Sequence, residues 1–328
     1  MICLGIESTA HTFGIGIADD KGNILANEKD SYTTIHGGII PAEASDHHVE
    51  VCDKVLVNAL DKAKIKLSDV DLISYSQSPG LGHTLRVGAF FARSLASQLE
   101  RPIVGVNHCI AHLEIGKLKT KAKDPILLYV SGANTQVIAY HNGKYRVFGE
   151  TLDIGAGNFL DSFARHIGLG FPGGPKIYEL SLRGKKYIPL PYVVKGMDVS
   201  FGGILTNVTR KYDSGKFSKE DLSYSIQETI FAMLVEVSER ALAHTRKSEL
   251  VLGGGVACNT RLKEMAMSMC AERNAKCHVP ENEFLVDNGA MIAWLGILKF
   301  QSTGAEKIEN CIIKPYERVD DVEATWYK

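Results

Sequence analysis

Two separate stretches of this 328-residue chain repeat one order of elements, and that order constrains the fold more than any single motif. A short apolar strand over 2–6 runs into Glu7-Ser-Thr9, and an alternating strand follows over 13–18. Asp19-Asp-Lys-Gly22 then turns the chain into a third strand over 23–27. The second half opens the same way. An apolar strand over 126–130 ends in Ser131-Gly-Ala-Asn-Thr135, a strand over 136–140 meets the turn signal Asn142-Gly143, and a third strand covers 145–150. Helical spacing over 41–63 and 85–99 and buried strands over 71–76 and 102–106 complete the first half. The second continues with helices near 158–167 and 219–246, a strand over 249–252, and helices near 259–273 and 288–299. The pattern predicts an α/β chain of two related lobes facing a cleft, with two unrelated α/β domains as the alternative.

Composition excludes several other classes. Thirty-seven Lys and Arg oppose 38 Asp and Glu, so no global field draws the molecule onto nucleic acid. The apolar fraction of 45% is that of a globular protein. No apolar run reaches the ~18–20 residues that cross a bilayer, and the N-terminus has no signal-peptide pattern, so no membrane partner is expected. Seven cysteines, an odd number with no Cys-x-x-Cys pair, argue against a disulfide framework or a cysteine zinc finger and for a reducing, cytoplasmic setting. One stretch departs from the average. Residues 168–175 are rich in Gly and Pro, and 176–211 show irregular periodicity and a net charge of +5. Lys117, Lys119, Lys121 and Lys123 form a second basic run. Such runs are commonly solvated faces, but two of them favour a nucleic-acid contact.

The sharpest chemical signal is His108-Cys-Ile-Ala-His112. On a helix, residues i and i+4 share a face, so the two imidazoles are placed to share a metal. A zinc peptidase needs Glu after the first His, and Cys109 stands there instead. The loops at 7–9, 131–135 and 253–255 each follow an apolar strand, and small residues there allow close approach of backbone N–H groups to phosphate. No P-loop motif is present, and Gly253-Gly-Gly-Val-Ala257 does not fit the Gly-x-Gly-x-x-Gly dinucleotide pattern. Asp287, just before the last helix, reads locally as part of an N-cap.

Taken together, these segments resemble the TsaD/Gcp family of tRNA threonylcarbamoyladenosine transferases, in its archaeal and eukaryotic branch. The resemblance runs nearly end to end through Gly5-Ile-Glu-Ser-Thr9, Gln77-Ser-Pro-Gly-Leu-Gly82, Gly105-Val-Asn-His-Cys-Ile-Ala-His112, Tyr129-Val-Ser-Gly-Ala-Asn-Thr-Gln136, Gly149-Glu-Thr-Leu-Asp-Ile-Gly155, Phe171-Pro-Gly-Gly-Pro175, Gly254-Gly-Val-Ala-Cys-Asn259 and Asp287-Asn-Gly-Ala-Met-Ile292. It implies the duplicated actin/hexokinase/heat-shock-chaperone (ASKHA) fold. One lobe is expected at 1–124 and the second at 125–300, with an inserted segment at about 168–211; the end of the last helix and the tail, about 300–328, return to the first. The resemblance also implies one divalent metal, iron or zinc, on His108, His112, Tyr129 and Asp287. An adenine nucleotide is implied at Tyr129, Val130, Ser131, Gly132, Ala133, Asp161, Gly174, Tyr178 and Asn259, and the first small-residue loop adds Ser8 and Thr9 on its phosphate side. Two positions depart from the family pattern. Ala133 replaces a usual Gly, which costs stability only where φ is positive, and Tyr178 replaces a usual Glu.

By the same resemblance, the threonylcarbamoyl group moves from threonylcarbamoyl-AMP to N6 of adenosine 37 in tRNAs reading codons that begin with A. The first phosphate loop offers Glu7 as the one candidate catalytic base. Expected partners are tRNA and the KEOPS subunits, among them a small protein kinase/ATPase, fused to the chain in some relatives, and a small dimerising subunit. The alternatives are an O-carbamoyltransferase acting on a small hydroxyl compound and a nucleotide-gated scaffold.

Overall fold

The computed structural model describes residues 1–34 and 38–327. The first half builds β1 (Ile2–Glu7), β2 (Thr12–Asp19), β3 (Ile24–Ser31), α1 (Pro41–Ala63), β4 (Leu72–Ser78), α2 (Gly82–Leu99), β5 (Ile103–Asn107) and α3 (His108–Thr120). Its five strands form one sheet in the order β3-β2-β1-β4-β5. The meander β1–β2–β3 is antiparallel, and β4 and β5 join parallel to β1. β1 is central and covered on both faces, which is why its letters read as a continuous apolar run rather than an alternation.

The second half continues with β6 (Ile126–Val130), β7 (Thr135–His141), β8 (Lys144–Glu150), α4 (Ala156–His166), α5 (Gly174–Ser181), β9 (Val194–Lys195), β10 (Asp198–Val199), α6 (Gly202–Asp213), α7 (Lys219–Thr245), β11 (Glu249–Gly253), α8 (Thr260–Glu272), β12 (Lys276–His278), α9 (Asn282–Leu285) and α10 (Gly289–Thr303). The second sheet has the order β12-β11-β6-β7-β8, the same arrangement as the first. β6–β7–β8 is again an antiparallel meander, and β11 is again parallel to the central strand. The repeated order in the sequence is thus a repeated topology.

Residues 176–211 are folded, against the irregular reading of their letters. α5, the β9–β10 hairpin and α6 bury Ile177, Ile188, Val199, Phe201, Ile204 and Val208 in the core of the second lobe. α6 starts on Gly202-Gly203, a poor helix start by local rules. The carboxylate of Asp153 accepts the N–H groups of Phe201 at 2.9 Å and Gly202 at 2.8 Å, so the capping oxygens come from 48 residues upstream.

Between the sheets the two halves exchange helices. α3, from the first half, packs on the second sheet, with Cys109, Ile110, Leu113 and Ile115 in one cluster with Leu127, Tyr129 and Val251. α10, from the second half, lies on the first sheet. Backbone meets backbone there: a Cβ on Gly5 would come within 2.2 Å of the Ala293 nitrogen, and one on Gly16 within 2.0 Å of the Ala290 nitrogen. The return to the first sheet therefore begins at Gly289, earlier than the expected boundary near 300, because glycines on β1 and β2 admit a helix at backbone distance. The tail after α10 crosses from β5 to β8. Glu306 bridges Ile103, and Glu323 bridges Lys144.

This packing predicts a sharp contrast between two glycine substitutions. Gly16→Ala drives its methyl into α10 and lowers stability by about 3 kcal/mol or more in denaturant melts. In Gly203→Ala, on α6, the new Cβ meets nothing within 4 Å, and the change stays within about 0.5 kcal/mol of wild type or stabilises.

Candidate functional site

α3 and α10 meet between the sheets, and the strongest cluster of metal-binding atoms lies where they meet. His108 opens α3, whose first amides are capped locally: Asn107 Oδ1 accepts the N–H of Cys109 at 3.0 Å and of Ile110 at 3.2 Å. His112 follows one turn on, and both imidazoles are buried. Asp287 immediately precedes Asn288, the N-cap of α10. Its Oδ1 lies 3.4 Å from Nε2 of each histidine. Tyr129, at the end of β6, brings its hydroxyl to 3.0 Å from His108 Nε2. Donor atoms of His108, His112 and Asp287 all fall within 4.8 Å of one another.

These positions fit a small divalent ion. Four ligands ~2.0–2.2 Å from a tetrahedral centre sit ~3.4 Å apart, the separation found here between carboxylate and imidazoles. Both nitrogens of buried His112 lack a hydrogen-bond partner among the described residues, a costly arrangement for an imidazole unless something else engages it. The donor set of two imidazoles, a carboxylate and a phenol suits iron or zinc. Cys109 is buried in the apolar cluster of α3, and burial holds its thiol well above the usual range, which disfavours it as a base.

Glu7 is placed behind the site. It is wholly buried at the end of β1, and its Oε2 accepts from His108 Nδ1 at 2.9 Å. Its other oxygen holds the Thr9 N–H at 2.7 Å and the Thr9 hydroxyl at 2.5 Å. A carboxylate on the far nitrogen of a metal-binding histidine fixes ring orientation and raises basicity. In the metal-free protein, burial pushes His108 down, but the carboxylates of Glu7 and Asp287 outweigh it and lift the imidazole to about 10. His112 shifts the other way, through burial and its charged neighbour His108. Burial opposes ionisation of Asp287, yet the two histidines hold it well below the carboxylate range. Burial, then Cys109 and Asp287, keep the Tyr129 phenol protonated.

The expected nucleotide residues fall into two groups. Those of the second lobe converge. The loop 131–134 sits against the start of α4, where Gly157 N–H donates to Ser131 O at 3.0 Å and Asn158 N–H to Gly132 O at 2.8 Å. The amides of Gly132 and Ala133 donate to nothing among the described residues. Ala133 is not among the residues with positive φ, so its methyl is harmless there. Val130 is buried at the end of β6, and Gly254, with φ +87°, passes close to its carbonyl. Asp161, on α4, accepts the Gly173 N–H at 2.7 Å at the start of α5, beside Gly174. Its acidity is weakened by burial, against the pull of those backbone amides. Tyr178 lies half-buried one turn along α5. Asn259 caps α8 through the Arg261 N–H at 2.9 Å, and its amide nitrogen donates to Gln227. Gln227, which donates in turn to Ser181, was invisible to motif reading because it is a lone amide inside the long helix α7.

The second group is the first loop. Ser8 N–H donates to Ser76 Oγ at 2.9 Å and Thr9 N–H to Glu7, while Ser8 Oγ is buried against α2. Both amides are engaged inside the fold, whereas the buried Ser8 hydroxyl has no hydrogen-bond partner among the described residues. The second basic run is also partly committed. Lys117 pairs with Glu114 at 2.9 Å, and Lys119 lies over the Phe284 ring.

Comparison with known proteins places this site in context. The family model described as "TsaD: tRNA N6-adenosine threonylcarbamoyltransferase" matches residues 23–294. A Thermococcus kodakarensis protein named tRNA N6-adenosine threonylcarbamoyltransferase is 57% identical over 326 residues, covering 99% of this chain and 100% of its own length. A Methanothermobacter thermautotrophicus protein named probable bifunctional tRNA threonylcarbamoyladenosine biosynthesis protein is 52% identical over all of this chain, which spans 61% of that relative. Among solved structures, T. kodakarensis HypF superposes with a TM-score of 0.66 at 14% identity, over 92% of this chain and 47% of HypF, a likeness of fold alone.

Two outcomes follow from the geometry. Glu7→Gln weakens metal binding about 10–100-fold in a chelator competition, because the charge behind His108 is lost. In the metal-free protein His108 is raised from 6.5 to about 10. Its contribution to stability is therefore complete below 6.5 and disappears as pH rises through 10. The Tm of metal-free wild type falls over that window, and His108→Gln flattens the slope.

Proposed function

The chain belongs to the TsaD family of tRNA N6-adenosine threonylcarbamoyltransferases, an ASKHA-fold family, and from that premise we propose how its own residues carry out the transfer. It is an enzyme that places a threonylcarbamoyl group on N6 of an adenosine in tRNA. The donor is threonylcarbamoyl-AMP and the target is adenosine 37 of tRNAs reading codons that begin with A. The observation that supports the assignment of the site is the convergence of His108 and His112 from α3, Tyr129 from β6 and Asp287 from the start of α10.

The donor's adenosine lies along α4, α5 and α8. Asp161 accepts from a ribose hydroxyl, with Gly174 beside it, and Tyr178 offers a neutral phenol where a carboxylate is usual. Asn259 is held for the base side by Gln227. The free amides of Gly132 and Ala133, with Ser131, take the phosphate. His108, His112, Tyr129 and Asp287 hold one iron or zinc ion. The chemistry such an ion supplies there is Lewis acidity toward the carbamoyl carbonyl. Glu7 keeps His108 oriented; wholly buried and bonded to Thr9 and His108, it is a positioning residue rather than a base. An exocyclic adenine amine is a weak nucleophile, so alignment of the acceptor against the donor supplies much of the rate. The acceptor base is presented unstacked, as in other single-strand RNA recognition.

We assign the first lobe to 1–124 and the second to 125–288, with the insertion at 168–211, while α10 and the tail serve the first sheet. Arg183, Lys185 and Lys186 of the insertion are exposed beyond α5 and face the tRNA backbone. The partners are a small kinase/ATPase and a small dimerising subunit of a KEOPS-type complex in the cytoplasm. No helix among the described residues is long and apolar enough to cross a membrane.

The test is a transfer assay with threonylcarbamoyl-AMP, unmodified tRNA and the partner subunits, read by mass spectrometry of digested nucleosides. Wild type yields threonylcarbamoyladenosine. His108→Ala/His112→Ala falls below about 1% of that rate. Asn259→Ala raises the donor KM about 5–10-fold, as expected for one lost hydrogen bond. AMP release without modified nucleoside would redirect the reading to a small-molecule acceptor.

A further inference from the structure

We propose that the C-terminal tail is a strap that positions the metal helix, with Glu317 and Trp326 as its two working residues. The inference rests on the metal site argued above and adds residues far from it in sequence. The tail reaches α3 at two points. At the first, Glu317 accepts a hydrogen bond from Ser78 Oγ, and Ser78 Oγ is 3.3 Å from Nδ2 of Asn107. Asn107 is the N-cap that sets the first turn of α3, where His108 begins. At the second point, Trp326 Nε1 donates to Glu114 Oε1 at 3.0 Å. Glu114 lies two residues beyond His112 on the same helix and is only 3% exposed.

Both anchors are more than incidental surface contacts. Glu114 also accepts from the Tyr145 hydroxyl and pairs with Lys117 at 2.9 Å, so the Trp326 N–H completes the satisfaction of a buried carboxylate. Tyr327 stacks on Tyr140 with ring centroids 3.8 Å apart, and Lys117 lies 4.2 Å over its ring. Between the anchors Val319 and Ala324 are buried in the cluster that holds Leu127 and Tyr129, and Arg318 pairs with Glu150 at 2.8 Å. A cavity of about 270 Å³, lined by Asn107, Lys299, Glu317, Asp321 and Trp326, lies beneath it. The strap is anchored along its length, and its two contacts with α3 fall one before His108 and one after His112. A helix held at both ends keeps its two imidazoles at the spacing a single ion requires, and outer partners of this kind typically change metal affinity ~10–100-fold.

The experiment measures Zn²⁺ affinity of the full chain by competition with a chromophoric chelator, alongside the visible spectrum of the Co²⁺-substituted protein and the metal-free Tm. The variants are Glu317→Ala, Trp326→Ala and the conservative Trp326→Phe, which keeps most of the packing but removes the N–H. Val208→Ala, a core truncation in α6 remote from α3, controls for general destabilisation. Glu317→Ala and Trp326→Ala each weaken Zn²⁺ binding about 10-fold and change the Co²⁺ spectrum, with Trp326→Phe intermediate, while Val208→Ala lowers Tm and leaves affinity unchanged. Strap variants that bind as tightly as wild type would overturn the proposal, as would an equal loss in Val208→Ala. A wild type whose Zn²⁺ binding is indifferent to His108→Ala would instead overturn the metal site itself.

Discussion

The arrangement depends on one close contact, the seating of α10 on the first sheet at backbone distance. A helix normally packs ~8–10 Å from its neighbour because side chains intervene. Here Gly5 and Gly16 remove the side chains on the strand side, and the amides of Ala290 and Ala293 come within reach of where their Cβ atoms would be. The residue just before that helix start is Asp287. Its position between the lobes is therefore set by the rigid sheet below it, and the sheet is built from the other end of the chain.

The second consequence of exchanging helices is that the two sources of candidate metal ligands face each other across the middle of the molecule. α3 belongs to the first half by sequence and to the second sheet by packing. α10 does the reverse. His108 and His112 therefore approach Asp287 from the opposite side, and Tyr129 joins from the second sheet. The charges are balanced within the site: Glu7 and Asp287 favour a cation at His108 and oppose the penalty of its burial. A cluster with this much unpaired donor capacity, two nitrogens on His112 alone, is poorly satisfied by the protein itself. Its donor atoms on His108, His112 and Asp287 lie within 4.8 Å of one another, a spacing that fits an ion.

The outer layers serve the same centre less directly. The insertion that follows α4 is held by Asp161 at one end of α5 and by Asp153 at the start of α6, so two carboxylates of the second lobe organise a basic segment beside the nucleotide residues. The tail links β5 to β8 across the lobes, and it grips the cap and the second turn of α3 on the way.

Much of this was legible in the letters. Strand–loop–strand order, turn signals such as Asn142-Gly143, and the periods of the long helices depend on residues a few positions apart, and the chain itself determines them. The same is true of His108 and His112, whose spacing places them on one helical face. Motif resemblance added Tyr129 and Asp287. The tertiary structure alone decided the rest, because each remaining feature rests on partners distant in sequence. The caps of α6 come from Asp153, and the companion of Asn259 is Gln227, 32 residues away. The amides of Ser8 and Thr9 are engaged while those of Gly132 and Ala133 donate to nothing among the described residues, because Ser76, 68 residues on, accepts from the Ser8 amide and Glu7 folds back onto Thr9. Local spacing fixes local conformation, but whether a polar group is free to bind a ligand depends on what the fold has already placed against it.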